Sequence, residues 1–197
     1  MLIGIGHKKR FGKDTIADYL VSKHGFVKIA FADSLKEAAA PIFGLTEAQL
    51  YGDLKEVVDP LWDKSPRELM NQLGELSKSI DKKVWIKSVE KKVKPLLKAG
   101  KNVVVSDMRF FPECDFIKHN GGVTWNVRRH DIFNVRYSNF EQLQYRMFGR
   151  LFLTKQHVSE IQLDTYKFDS IIYNSREGEM DHLYDQVDEL LMCLHYW

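Results

Sequence analysis

A short apolar run at the start of the chain, Leu2-Ile3-Gly4-Ile5-Gly6, passes straight into His7-Lys8-Lys9-Arg10-Phe11-Gly12-Lys13-Asp14-Thr15. From Asp14 to His24 the apolar residues Ile16, Ala17, Tyr19 and Leu20 then recur at helical spacing. A loop rich in glycine and cations, set between a buried first strand and a helix, is an anion cradle. Successive backbone N–H groups and the positive end of the helix dipole converge on one point.

The loop approximates the pattern GxxxxGK[ST] with two departures. His7 stands at the first position, with Gly6 one residue early, and Asp14 replaces the usual hydroxyl residue. Lys13 is the lysine that such a loop places on the β- and γ-phosphate oxygens. Asp14 can hold Mg²⁺ directly or through water, or orient a phosphate acceptor, while Thr15 supplies a hydroxyl one residue later; the sequence leaves open which of the two meets the metal. His7 can donate to a phosphate when protonated or be a tolerated substitution. The bland alternative is a glycine turn with an exposed basic run and Asp14 as a helix cap.

Strand-like runs alternate with helical patterns along the chain, the signature of a βαβ architecture with a parallel sheet. Strands are expected at Leu2 to Gly6, Val27 to Phe31, Asn102 to Ser106, Val123 to Val127 and Ser170 to Tyr173. The three consecutive valines at 103–105 point to a strand buried on both faces and to the centre of the sheet. Helices are expected from Ser34 to Ile42, with Ser34 as cap, and from the Ser65-Pro66-Arg67-Glu68 capping box to about Ile80. Others span Lys82 to Lys98, Pro112 to His119 and Met180 to Leu194. His130 to Lys155, rich in arginine, glutamine and aromatics, reads as a helical, partly mobile insertion.

At 197 residues the chain is long enough for one α/β core, and a single domain over 1–197 with an inserted segment is the expectation. No apolar run approaches a membrane span, and the start lacks the features of a signal peptide. Cys114 and Cys193 carry no metal-ligand spacing and read as free thiols in a reducing cytoplasm. A net charge of +2 gives no global field for a nucleic-acid partner, while Lys8-Lys9-Arg10 and Arg128-Arg129 suit small phosphate ligands.

Val103-Val104-Val105-Ser106-Asp107 is an apolar strand ending in an acid, which puts a carboxylate at the carboxyl edge of the sheet. Asp107 is therefore a second candidate for the metal, and Arg109, two residues on, a candidate for a phosphate. The alternative makes Asp107 a helix cap and Arg109 a surface ion pair.

Four segments in this order resemble the deoxynucleoside monophosphate kinases of tailed bacteriophages, within the P-loop nucleoside monophosphate kinase group. They are Lys9 to Thr15; Phe31-Ala32-Asp33-Ser34-Leu35-Lys36; Ser106-Asp107-Met108-Arg109-Phe110 with Glu113; and His157-Val158-Ser159-Glu160 followed by Phe168 to Asn174. The resemblance spans nearly the whole chain. It implies a three-layer P-loop NTPase fold with a central parallel sheet and a helical lid at about 129–157. It also implies transfer of the ATP γ-phosphoryl group to a deoxynucleoside 5′-monophosphate, with Mg²⁺ required.

Carried over residue by residue, the resemblance gives a nucleotide site of Lys9, Arg10, Phe11, Gly12, Lys13, Asp14 and Thr15, joined by Arg146 and Arg150 of the lid. The catalytic set is Lys13, Asp14, Asp107, Arg109 and Arg129, and Asp14, Thr15 and Asp107 are the metal candidates. The acceptor-binding face maps to about 32–100: Phe31, Lys36, Arg67, Gln72 and Trp85, with Arg109 and Glu113 beside it. Phe31 and Trp85 can stack on a base or simply pack in the core. Arg67, next to a helix start, suits a monophosphate. Arg128 and Arg136 complete the arginines in or beside the lid, and His157 to Glu160 closes it or caps a helix. The partners implied are ATP and a deoxynucleoside monophosphate, with no nucleic acid and no membrane, and a homodimer is reasonable. The setting implied is cytoplasmic, the host cytoplasm for a viral chain.

Rival readings use the same loop for another small acceptor, such as a nucleoside or a phosphorylated metabolite, or for a nucleotide-binding module without catalysis. No motif fixes the base.

Overall fold

The computed structural model describes residues 1–6, 8, 11–130, 162–175 and 180–195. The chain divides into two compact units: Met1–Lys28 with Val104–Trp197, and Ile29–Val103.

The first unit is built on β1 (Leu2–Gly6), α1 (Lys13–His24), β2 (Val27–Ile29), β3 (Val103–Met108), α6 (Phe111–His119), β4 (Val123–His130), β5 (Ser170–Ser175) and α7 (Met180–His195). Its five strands run in the order β2-β3-β1-β4-β5. β1 pairs with β4 and β4 with β5 in parallel, with Gly6 opposite Asn126 and Asn126 opposite Ile171. The α/β class expected from the alternation is thus the observed one. The centre of the sheet is β1, however, and not the valine-rich β3. Val103, Val104 and Val105 are all buried in β3, which also has a strand on each side.

Helices cover both faces of this sheet. On one, Ile16, Ala17 and Leu20 of α1 and Leu183, Val187 and Leu191 of α7 pack on Ile3, Ile5, Val104, Trp125, Val127 and Ile172. Each fully buried Ile, Leu or Val there contributes about 1.5–3 kcal/mol relative to exposure. Tyr19 and Tyr184 stack at 4.0 Å, and Asp188 of α7 accepts from the Tyr19 hydroxyl at 3.0 Å and contacts His24 Nε2 at 2.8 Å. On the other face Gly4 lets α6 approach: a Cβ at Gly4 would sit 2.5 Å from Met108 Sδ and 2.7 Å from Ile117 Cγ1.

Two polar devices finish the sheet. Asp169, just before β5, accepts from Thr124 N–H at 2.7 Å and Thr124 Oγ1 at 2.9 Å, and from Lys118 Nζ at 2.7 Å. Along the edge strand β5, Gln186 of α7 accepts from Tyr173 N–H and donates to Tyr173 C=O, both at 2.9 Å. Its amide occupies the groups through which an edge would recruit another strand.

The second unit is helical: α2 (Phe31–Phe43), α3 (Glu47–Leu50), a 3₁₀ turn at Asp53–Glu56, α4 (Pro66–Ile80) and α5 (Val84–Lys98). Ala39, Leu45, Leu50, Leu69 and Met70 form its core. Ser88 Oγ donates to Ser34 Oγ at 2.7 Å, joining α5 to α2. The capping box at Ser65 and Glu68 is formed as expected, with Ser65 N–H on Glu68 Oε2 at 2.8 Å. α2 begins earlier than expected. Asp33 Oδ2 accepts Ala30 N–H at 2.8 Å, so Ala30 is the cap, Phe31 opens the helix instead of ending a strand, and Ser34 lies inside it.

Candidate nucleotide-binding site

Gly12 closes the loop between β1 and α1. Its φ of 96° and ψ of 16° are left-handed, and it caps α1 without a side-chain bond. A residue with a Cβ is strained in that conformation. The amide of Asn174, at the carboxyl end of β5, donates to Phe11 C=O at 3.1 Å, and a Cβ on Gly12 would lie 2.5 Å from Asn174 Nδ2. Conformation and space therefore both require glycine.

Beyond Gly12 the first turn of α1 presents N–H groups that have no intrahelical acceptor. A cavity of about 280 Å³ opens here, lined by Gly12, Lys13, Asp14 and Thr15. Lys13 is 7% exposed, and its Nζ donates to Lys8 C=O at 2.6 Å. A buried ammonium on a neutral carbonyl gains when an anionic oxygen takes the carbonyl's place, because charge-assisted bonds are about twice as strong. Lys8 Nζ reaches Asp164 Oδ1 at 3.4 Å.

The Asp14 side chain is 80% exposed, and its Oδ1 lies 3.0 Å from Lys28 Nζ. Thr15 is half-buried. Asp107 is half-buried within β3, one residue before its end, on the strand beside β1. It is not a helix cap: the cap position of α6 is Phe110, and the capping carboxylate is Glu113.

Glu113 is buried, and its Oε2 accepts Arg109 N–H at 2.6 Å and Phe110 N–H at 3.0 Å. Burial pushes its carboxyl up to about 8, against the two N–H bonds that favour the charged form. Both bonds fall on one oxygen, which leaves the other for the proton. The carboxyl thus holds the backbone of the turn that carries Arg109.

The remaining expected residues stand in the helical unit. Phe31 is buried at the first position of α2, and Lys36 Nζ lies 4.0 Å over the Tyr51 ring. Arg67, half-buried at the start of α4, pairs through Nε with Glu56. Gln72 is exposed on α4, and Trp85 is half-buried in the first turn of α5. Lys9, Arg10, Arg146 and Arg150, the side chain of Arg129, and the lid as a whole lie outside the described residues, as do His7, Arg136 and His157 to Glu160.

Two residues of this region carry no role in the sequence reading. Asn174 ends a strand of apolar residues, a position that marks it only as polar at the sheet edge. Lys28 is the polar middle residue of Val27-Lys28-Ile29, and its partner Asp14 is distant in sequence.

Hard oxygen donors on Asp14, Thr15 and Asp107 suit Mg²⁺ and not a softer metal. Among the described residues no group of three His, Cys, Asp or Glu side chains is placed to hold a metal. Among the described residues no helix is long and apolar enough to cross a membrane.

No family model matches the chain. It is 28% identical over 202 residues to the "Putative deoxynucleotide monophosphate kinase" of Acanthamoeba polyphaga mimivirus, covering 95% of this chain and 94% of that protein. It is 29% identical over 119 residues to uncharacterized protein ORF77 of Ictalurid herpesvirus 1 (strain Auburn), covering 60% of this chain and 46% of that protein. Among solved structures it matches dephospho-CoA kinase from Campylobacter jejuni with a TM-score of 0.50 at 16% identity, over 96% of this chain and 95% of the other. The chain thus shares the α/β fold of the dephospho-CoA kinase, and over nearly its whole length it is similar in sequence to the mimivirus protein.

Proposed function

We propose that this chain transfers the γ-phosphoryl group of ATP to a deoxynucleoside 5′-monophosphate, giving ADP and the deoxynucleoside diphosphate. The observation that carries the phosphate-binding half is the left-handed Gly12 followed by buried Lys13 on the wall of the loop's own cavity. The choice of acceptor rests on the viral relative and on the segments that resemble the phage enzymes.

Phosphoryl transfer needs positioning and charge neutralisation more than covalent help from the protein. Lys13 exchanges the Lys8 carbonyl for β/γ oxygens, and the N–H groups at the start of α1 donate to the β-phosphate. Asp14 or Thr15, with Asp107, holds Mg²⁺, which supplies neutralisation of the phosphate charge when bound. Arg109, its backbone held by Glu113, offers a bidentate guanidinium to the transferring or acceptor phosphate. Phe31, Lys36, Arg67, Gln72 and Trp85 bind the monophosphate, with Arg67 on its phosphate and the two aromatics on its base. Lys9, Arg10, Arg146 and Arg150 are the further nucleotide-binding residues of this reading, and Arg129 belongs to its catalytic set. The setting that suits this activity is the cytoplasm, that of the host for a viral chain.

The test is ADP formation with ATP and Mg²⁺ as each deoxynucleoside monophosphate is added in turn, with Lys13→Ala and Arg109→Ala beside the wild type. The proposal expects turnover only with an acceptor and loss of at least a hundredfold in both variants, in line with removal of a preorganised charge from such a site. Turnover that is indifferent to every monophosphate contradicts it.

A further inference from the structure

An acid at the second position of α1 is an electrostatic anomaly, because the loop that carries it is built to attract anions. A carboxylate beside a polyphosphate repels it unless a cation stands against it. Lys28 supplies one. Its Nζ lies 3.0 Å from Asp14 Oδ1 and 2.9 Å from Asp18 Oδ1, one turn further along the same helix face.

The burial is asymmetric: the lysine side chain is 31% exposed, while Asp14 and Asp18 are 80% and 67% exposed. Burial opposes the charge on Lys28, but the hydrogen bonds to Asp18 and Asp14 outweigh it and hold the amine above its ordinary range. The ammonium is therefore anchored at a fixed place and the carboxylates are drawn to it. Pairs as exposed as these add little to stability. Their effect falls on where the Asp14 carboxylate points and on the charge that an incoming phosphate meets.

We propose that Lys28 is a positioning residue for nucleotide binding, which compensates the charge of Asp14 and fixes the place of its carboxylate at the phosphate cavity lined by Gly12, Lys13, Asp14 and Thr15. The inference deepens the proposed function and rests on its nucleotide-binding half. It explains how a loop with aspartate after its lysine can still take a polyanion. The role belongs to the charge of Lys28 acting through Asp14, not to contact between Lys28 and the nucleotide.

The experiment titrates the whole chain with a fluorescent ATP analogue in EDTA, so that no metal ligand is being measured, and records Tm for each variant. Lys28→Gln is expected to bind about tenfold more weakly with Tm within about 2 °C of wild type, and Lys28→Arg to bind as wild type. Lys28→Gln combined with Asp14→Asn is expected to recover most of the lost affinity, since the carboxylate that lines the phosphate cavity is then gone and Asp18 lies a turn further along the helix. Undiminished binding by Lys28→Gln overturns the inference, as does a double variant as weak as Lys28→Gln alone, which assigns the lysine to direct contact. A wild-type chain that binds no analogue sinks the kinase reading and this inference with it, whereas binding by wild type with no effect at Lys28 sinks the inference alone.

Discussion

Asn174 at the end of β5 donates its side-chain amide to the backbone carbonyl of Phe11 at 3.1 Å, and this one bond ties the turn into α1 to the carboxyl edge of the sheet. The same amide stands where a Cβ on Gly12 would have to go.

Gly12→Ala is expected to weaken ATP binding at least tenfold, because left-handed backbone costs a Cβ-bearing residue about 1–2 kcal/mol and the new methyl also displaces Asn174. Asn174→Ala removes one hydrogen bond of about 0.5–1.5 kcal/mol and is expected to weaken binding roughly three- to tenfold. Calorimetric titration with ATP checks both. Wild-type affinity in Gly12→Ala would refute the geometry of the turn.

Glu113 makes stability depend on pH. Burial raises its folded carboxyl to about 8, against the ordinary 4.5 of the unfolded chain. The folded state thus binds the extra proton between those values, and stability is full below about 4.5 and falls as pH rises to about 8. The slope from this group is at most about 1.4 kcal/mol per pH unit. Glu113→Gln can keep the acceptor for Arg109 and Phe110 N–H but does not titrate, so its urea midpoint is expected to vary less than that of wild type over this window. Parallel curves for the two proteins would contradict the assignment.

The two thiols differ in reactivity. Cys114 is buried, and burial pushes its thiol up to about 12, while Cys193 is exposed on α7. The thiolate is the reactive form. At pH 8 a thiol reagent is expected to label Cys193 in the folded protein and both cysteines in denaturant, as read by mass spectrometry. Rapid labelling of Cys114 in the folded state would contradict its burial.

Ser65→Ala removes the hydroxyl that accepts Glu68 N–H at 3.3 Å at the start of α4. The loss of an N-cap of this kind costs about 1 kcal/mol, read as a lower denaturant midpoint; an unchanged midpoint would mean that the cap does not form in solution.

Legibility in the sequence followed how local each signal was. The strand Leu2–Gly6 and the helix Pro66–Ile80 were readable because apolar period, proline and cap all lie within a few residues. The start of α2 was misread because Ser34 and Glu37 have capping spacing too, and the competing carboxylate of Asp33 lies one residue before Ser34. Three valines signal burial on both faces, which the neighbour of a central strand satisfies as well as the centre itself, so β3 was placed one strand off.

At the site, the loop and its lysine are contiguous in sequence and were legible as chemistry. The parts that depend on the fold were not. Asn174 meets Phe11, and Lys28 meets Asp14, only because strands bring distant segments to the same edge. Glu113 was legible as part of a motif but not in its role, since its capture of Arg109 N–H follows from where α6 starts.

The central claim is γ-phosphoryl transfer through the loop at Lys13. Its most direct test is incubation of the purified protein with γ-labelled ATP, Mg²⁺ and each of the four common deoxynucleoside monophosphates, with the label followed by chromatography. The account predicts label in the β-position of one or more deoxynucleoside diphosphates with wild type and none with Lys13→Ala. Label that stays in ATP, or appears solely as free phosphate whatever acceptor is present, would contradict it.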